Sequence, residues 1–402
     1  MTGIFNLNTF ISQHITGRDK SMFINDLENN EHAFTKAIRG QSVLVIGGAG
    51  TIGASFTKVL LRYEPSKVVV IDINENGLTE LVRDCRSTEG LIVPNDFRTY
   101  PINFNDEVFQ KIFKKEGVFD IIANFAAHKH VRSEKDVYSI EAMLRNNVLQ
   151  AKKLLDLLSS RPPKHFFCVS TDKAANPVNI MGASKKLMEE FVLAYSELFK
   201  ITTARFANVA FSNGSLLDGF VHRVMKGQPL SCPTDVKRYF VSPEESGEIC
   251  LSACVLGEPG DIFFPKLRED QMVNFADIVE PFLDAIGYEM IICRTENEAR
   301  NKVTEINNKK YPVYFFNSDT SGEKLYEEFF TDDEIIDSER FNSLGVIKNA
   351  ERRSLLELSP LITKIEATLS EAENKSIVVA LLNELLPGFS HIETGASLDQ
   401  KM

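Results

Sequence analysis

The sequence has no apolar run near the ~20 residues that cross a bilayer, so no membrane span is expected. Its first residues, MTGIFNLNTFISQHITGRDK, lack a basic stretch leading into an apolar core and lack a small-residue cleavage site. That excludes an ordinary secretory leader and gives a cytoplasmic expectation. Basic excess is missing too: 45 Lys and Arg stand against 56 Asp and Glu, a net charge of -11. A broad basic face for nucleic acid is thereby excluded, although a local pocket can still hold a small anion. The six cysteines (Cys85, Cys168, Cys232, Cys250, Cys254, Cys293) contain no CxxC pair, and several sit in apolar runs such as HFFCVS. They are expected as buried free thiols, with neither a disulfide framework nor a metal site. His128 and His130 alternate along an extended segment but have no third ligand at a metal-binding spacing. No internal repeat or low-complexity segment is present.

What is present is a 402-residue chain, 43% hydrophobic and 25% charged, long enough for one large domain with appendages or for two domains. From residue 42 onward, apolar β-rich runs alternate with stretches whose apolar residues recur at three- and four-residue spacing. The runs are SVLVIGG (42–48), KVVVIDI (67–73), RTYPINF (98–104), FDIIANFAA (119–127), KHFFCVS (164–170) and ITTARFANVA (201–210). Strands apolar on both faces and joined by helices imply an α/β fold, a Rossmann-type doubly wound parallel sheet. Ligands then sit beyond the carboxyl ends of the strands. Past residue 212 the alternation breaks into short β runs (IFFPKL, YEMIICR, YPVYFFN), suggesting a smaller irregular α/β lobe over the ligand edge. The expected division is a helical lead-in (1–39), a dinucleotide-binding unit (40–211), a substrate lobe with some return to the main sheet (212–345), and a helical extension with a polar tail (346–402).

VLVIGGAGTIG closes the first strand and opens a helix, placing Gly47, Gly50 and Gly53 at GxxGxxG spacing, with Thr51 and Ile52 between the last two. The first glycine permits a tight turn, the second lets backbone approach a pyrophosphate, and the third lets helix and strand pack closely. The helix N-terminus adds free N–H groups and the positive end of its dipole. Asp72 ends the next strand, where a carboxylate accepts ribose hydroxyls and repels a 2′-phosphate, so NAD is favoured over NADP. The alternative for Asp72 is a plain helix cap. Ala126, after the fourth strand, is small where the adenosine half would lie, although strand packing alone accounts for it equally well.

The fifth strand ends in Ser170-Thr171-Asp172-Lys173, and Met181 and Lys185 follow one helical turn apart. Hydroxyl, carboxylate and ammonium thus cluster where this fold places its ligand. Considered without its neighbours, STDK is an ordinary capped turn.

The longer segment STDKAANPVNIMGASKK (170–186) resembles the active-site segment of the nucleotide-sugar 4,6-dehydratases of polysaccharide biosynthesis, a branch of the extended short-chain dehydrogenases. The similarity continues in order through AAHKHV (126–131), NNV (146–148), RFANVAFSNGS (205–215), GQPLSCPTDVKRYFVSPEE (227–245), IFFPK (262–266) and SGEKLYEEFFTDDE (321–334). The resemblance implies a tightly held NAD and a UDP-N-acetylhexosamine substrate, UDP-N-acetylglucosamine in the best-known members. It also implies a homo-oligomer, for which a helix such as 139–160 offers a face. Three departures stand out: Met181 occupies the usual Tyr slot, Asn103 stands where relatives often carry an Asp beside the adenine, and Ala207 replaces a common Gly. A subset of the family also carries Met there, and that subset implies retention at C5.

Set against the family's reaction, the adjacent Asp172 and Lys173 form the acid–base pair, assigned as acid at sugar C6 and base at C5 with the reverse assignment left open. Thr171, with a water or Asp172, is expected to relay the C4 hydroxyl proton in place of the missing phenol; Lys185 is expected to steady the C4 alkoxide, and the resemblance implies that it also meets the nicotinamide ribose. Lys129, Asn208, Ser215, Arg238 and Lys324 are expected to hold the substrate. Two rivals share the scaffold: a UDP-hexose 4-epimerase, which needs no acid and base for C5 and C6, and a non-catalytic NAD-binding regulator.

Overall fold

The apolar runs become six parallel strands: β1 (Ser42–Ile46), β2 (Lys67–Asp72), β3 (Asp96–Pro101), β4 (Ile121–Asn124), β5 (His165–Val169) and β6 (Ile201–Ala204). Three more join them: a parallel β7 (Ile262–Pro265), and the antiparallel β8 (Ile336–Asp337) and β9 (Leu344–Ile347). The sheet order is β8-β9-β7-β6-β5-β4-β1-β2-β3. Val43 of β1 pairs with Val68 on one side and Ile121 on the other. Strand order therefore reverses between β1 and β4, and a crevice opens there at the strands' carboxyl ends. The structure, a computed structural model, describes residues 5–318, 326, 328–348 and 350–393. Lys324 and the polar tail from residue 394 lie outside the described residues.

Helices cover both faces of the sheet. Thr51–Leu61 leaves the glycine turn and lies against Pro243–Leu256. At that crossing a Cβ on Gly247 would come within 2.6 Å of the Ser55 backbone, so only glycine permits the approach. Ile180–Ala194 is buried at every residue but Lys186. The C-terminal pair Leu355–Glu371 and Lys375–Leu385 packs together, and its second helix lies on Ile180–Ala194. Arg353 Nε donates to Glu190 Oε2 at 2.7 Å and so ties the pair down.

Beyond residue 212, YEMIICR and YPVYFFN form Glu289–Cys293 and Lys310–Phe316, which join Leu230–Pro233 in a small parallel sheet. IFFPKL instead returns to the main sheet as β7. ITTARFANVA also splits: β6 ends at Ala204, and Asn208–Val209 turns away to pair with Phe240–Val241. Residues 5–38 bridge the two apolar cores, with Phe10, Ile11 and Ile15 in the smaller and Phe23, Phe34 and Ile38 in the larger. Arg18 fixes this lead-in by pairing with Glu245 at 2.8 Å.

The run 139–160 is not one straight helix. A π-helical stretch, Arg145–Gln150, separates Val137–Leu144 from Ala151–Ser159. The extra residue per turn swings Asn147 inward, where Nδ2 donates to the His128 carbonyl and to Ser184 Oγ, both at 3.0 Å. Leu154, Leu155 and Leu158 are buried within the chain, whereas Lys153 and Asp156 face outward. All six cysteines are buried free thiols.

Candidate active site

Gly47 has φ +76°, and a Cβ there would meet the Ala126 nitrogen at 2.5 Å, so β1 and the segment after β4 approach only because it is glycine. Gly53 packs equally tightly, since its Cβ would fall 2.4 Å from the Gly47 carbonyl. At Gly50 the nearest atom is that carbonyl, at 3.6 Å, which leaves this face open. The helix beginning at Thr51 has no side-chain cap, so its first N–H groups point into that opening. Asp72 is not the cap of the following helix; Asn74 is, accepting from Gly77 N at 3.0 Å. Asp72 accepts instead from Ala49 N and Asn74 N, both at 2.9 Å, and so braces the glycine turn against β2. Asn103 uses its Oδ1 in a local turn, accepting from Asn105 at 3.0 and 2.9 Å.

Beside the turn lies a cavity of about 670 Å³ between the ends of β4 and β5 and the smaller sheet. It collects most of the expected reacting and substrate residues, namely Thr171, Asp172, Lys173, Met181, Lys185 and Asn208, with Ile52, Lys129, Ser215 and Arg238 also in its wall. Gly47, Gly50, Asp72, Asn103 and Ala126 do not line it; they flank it across the ends of β1 to β4.

On the cavity floor Asp172 is 2% exposed. Its Oδ1 accepts from Thr171 Oγ1 at 2.6 Å and from Lys173 Nζ at 3.2 Å, so hydroxyl, carboxylate and amine form one chain. Lys185, 3% exposed, donates from Nζ to the Val169 carbonyl at 2.6 Å. Burial pushes its pKa down, against the pull of Cys168 and Glu189. Met181 supplies only a thioether to the same wall.

The opposite wall is cationic, with Arg223 and Arg238 inside and Lys129 exposed at the rim. Two buried donors there, Asn208 Nδ2 and Arg223 Nε, have no hydrogen-bond partner. Such orphaned donors are rare in folded chains and mark a wall suited to an acceptor-rich ligand. Ser215 uses its Oγ to cap the helix Leu216–Met225, accepting from Asp218 N at 3.2 Å. Thr51 Oγ1 accepts from Asn213 N at 3.0 Å, tying the helix of the glycine turn to the loop that carries Ser215.

Beneath the floor runs a buried network that motif reading missed. Ser170 Oγ donates to Glu189 Oε1 at 2.5 Å, Arg205 grips Glu189 at 2.9 and 2.8 Å, and Arg205 reaches Glu334 at 2.8 and 2.9 Å. Arg205 is 0% exposed. Burial opposes its charge, yet Glu189 and Glu334 leave its pKa raised. Arg205 and Glu334 stand in blocks that carry the resemblance, RFANVAFSNGS and SGEKLYEEFFTDDE, and Glu189 lies a helical turn beyond Lys185; nothing marked Arg223.

Sheet order, glycine turn and cavity together define a Rossmann-type protein whose ligand edge faces a cationic pocket. The chain belongs to the polysaccharide biosynthesis protein family, whose family model matches residues 43–349. It is 30% identical over 317 residues to an uncharacterized membrane protein of Methanocaldococcus jannaschii, covering 77% of this chain and 86% of that one. Among the described residues, no helix is long and apolar enough to cross a membrane. It is 27% identical to a UDP-N-acetylglucosamine 4,6-dehydratase (inverting) of Campylobacter jejuni, over 61% of this chain and 72% of the other. The chain spans about half the length of two further curated relatives that it matches. In fold it is similar to Pen from Bacillus thuringiensis, with TM-score 0.63 at 20% identity over 79% of this chain and 91% of that one.

Proposed function

We propose that the chain is an NAD-dependent 4,6-dehydratase of UDP-N-acetylglucosamine. One observation carries the reading: the Thr171–Asp172–Lys173 chain and Lys185 line one cavity with two buried unpaired donors, Asn208 Nδ2 and Arg223 Nε. The dehydratase relative in Campylobacter jejuni supports the same reaction class.

The residues around the glycine turn fit a dinucleotide. Gly50 leaves an open face before an uncapped helix end, which suits a pyrophosphate. Asp72 stands at the tip of β2, where it suits ribose hydroxyls and disfavours NADP. Bound there, NAD would supply one piece of chemistry, temporary storage of the hydride between sugar C4 and C6.

The chain's own groups handle the protons. Asn208, Arg223 and Arg238 hold the substrate's diphosphate from the cationic wall, with Lys129 at the rim. The C4 hydroxyl proton passes through Thr171 to Asp172, along the 2.6 Å contact. Lys185 lowers the cost of the negative charge developing at that oxygen. The C4 ketone makes C5–H acidic, and Lys173, entering as a neutral amine, takes that proton. Asp172 delivers its own proton to the departing C6 oxygen. Lys173 then returns a proton to C5, so the floor ends as it began.

The test is incubation with UDP-N-acetylglucosamine in heavy water, followed by NMR. Water loss with a deuteron at C5 is the expected result, and the same spectrum reads the C5 configuration. A C4 epimer formed without water loss would instead make the chain an epimerase, and unchanged sugar would make it a binding protein.

Lys185 separates activity from stability. Its charged form is disfavoured by burial, so its folded pKa lies below the ordinary 10.5. A group depressed in this way contributes stability above its unfolded value, and the contribution is lost as pH falls through the folded one. The charged form is therefore a liability to the fold wherever the buried site holds it. Lys185→Met should lose about 10²-fold or more in turnover while unfolding at no lower temperature than the parent, as read by calorimetry. A large fall in melting temperature would count against this account.

A further inference from the structure

The family model ends at residue 349, yet the chain beyond it returns to the active-site segment. After the last helix, Ser390 N donates to the Pro177 carbonyl at 3.3 Å and Ile392 N to the Val178 carbonyl at 2.9 Å. Residues 390–392 thus run alongside 177–178, midway between the Thr171–Lys173 floor and Met181. Phe389, buried in the main core, anchors this strap and lies 5.9 Å from the His391 ring.

Between the two strand-like contacts His391 turns inward to Glu134. Their side chains are 8% and 5% exposed, and His391 Nε2 lies 3.6 Å from Glu134 Oε2. Neither atom has any other hydrogen-bond partner. The other carboxylate oxygen, Glu134 Oε1, accepts from Met181 N at 2.9 Å, in the first turn of the helix that carries Lys185. Glu134 also closes the short turn Val131–Glu134, just after Lys129 and His130 of the cavity wall. One carboxylate therefore joins the cavity wall, the start of the Met181 helix and the C-terminal strap. Two buried orphan atoms 3.6 Å apart complete each other with a small closing motion.

We infer that His391 is a positioning residue: through Glu134 it holds segment 174–181, and with it Met181 and the Lys173 turn, in the geometry the reaction needs. It touches no reacting atom. The kinetic part of this inference rests on the dehydratase reading above; the structural part does not.

The experiment compares the full-length parent with His391→Ala and His391→Gln, whose amide N–H can replace the imidazole donor. Amide hydrogen exchange in His391→Ala should quicken in peptides spanning 174–183 and stay at the parent rate in β1, β4 and β5. Turnover should fall about 10-fold with KM within about twofold, because misplaced reacting groups lower the chemical step more than binding. His391→Gln should restore most of both. Unchanged exchange in 174–183, equal loosening of the whole chain in both variants, or a Gln variant no better than Ala would each overturn the inference. If the parent does not dehydrate the sugar, the functional reading fails, and the exchange comparison still decides whether His391 holds the segment.

Discussion

Asp172→Asn should bring water loss from UDP-N-acetylglucosamine close to a halt, a fall of about 10²–10⁴-fold, while NAD stays bound. The substitution conserves size, and the amide oxygen can still accept from Thr171 Oγ1 and Lys173 Nζ, the contacts seen at 2.6 and 3.2 Å. What it removes is the ability to take up a proton and release it to the C6 oxygen. Lys173→Ala should fall comparably, since it removes the amine assigned to accept the C5 proton. Bound nucleotide is read by heat release and chromatography, and dehydration by loss of the C6 hydroxyl signal in NMR. KM for the nucleotide sugar should move little, because the cationic wall lies across the cavity. Turnover near the parent rate in both variants would sink the assignment. In Asp172→Asn, deuterium exchange at C5 should stop along with water loss, since without Asp172 the C4 hydroxyl proton has no acceptor and the C4 ketone that acidifies C5–H does not form.

Arg205→Met should have the largest effect on stability, a loss of about 3–5 kcal/mol. Arg205 is wholly buried, and each of its two carboxylate partners, Glu189 and Glu334, makes a paired contact with it. Removing the guanidinium leaves two buried carboxylates facing each other with no cation between them. The Phe329 carbonyl, which accepts from Arg205 at 3.1 Å, is orphaned as well. Denaturant unfolding followed by circular dichroism measures the loss. A change below about 1 kcal/mol would show that water or rearrangement satisfies the carboxylates. The triple replacement Arg205→Met, Glu189→Met, Glu334→Leu should recover much of the stability, because apolar packing can replace a buried ionic cluster. Activity should stay low in that variant: Ser170, next to Thr171, loses its partner Glu189.

Much of the framework was legible in the sequence because its causes are local. Five strands were readable from their doubly apolar runs, and the glycine turn from spacing that the +76° φ of Gly47 requires. The Thr171–Asp172–Lys173 cluster was legible for the same reason, since adjacent residues at a strand end cannot be far apart. IFFPKL misled because a short apolar run carries no mark of the sheet it will join. Ser215 lines the cavity, and its hydroxyl oxygen also caps a helix, a use that the SNG turn does not announce.

The sequence alone, then, determined the doubly wound sheet, the glycine turn and the Thr171–Asp172–Lys173 cluster, since periodicity, backbone freedom and adjacency act over a few residues. Tertiary structure alone decided how that trio is supported. Arg205 meets Glu334 across 129 residues, Asn147 reaches Ser184 through a π-helical step, and His391 returns to Glu134 from beyond the family segment. Buried polar groups take whichever partner the packed core brings within reach, and that choice is made only once distant elements close together.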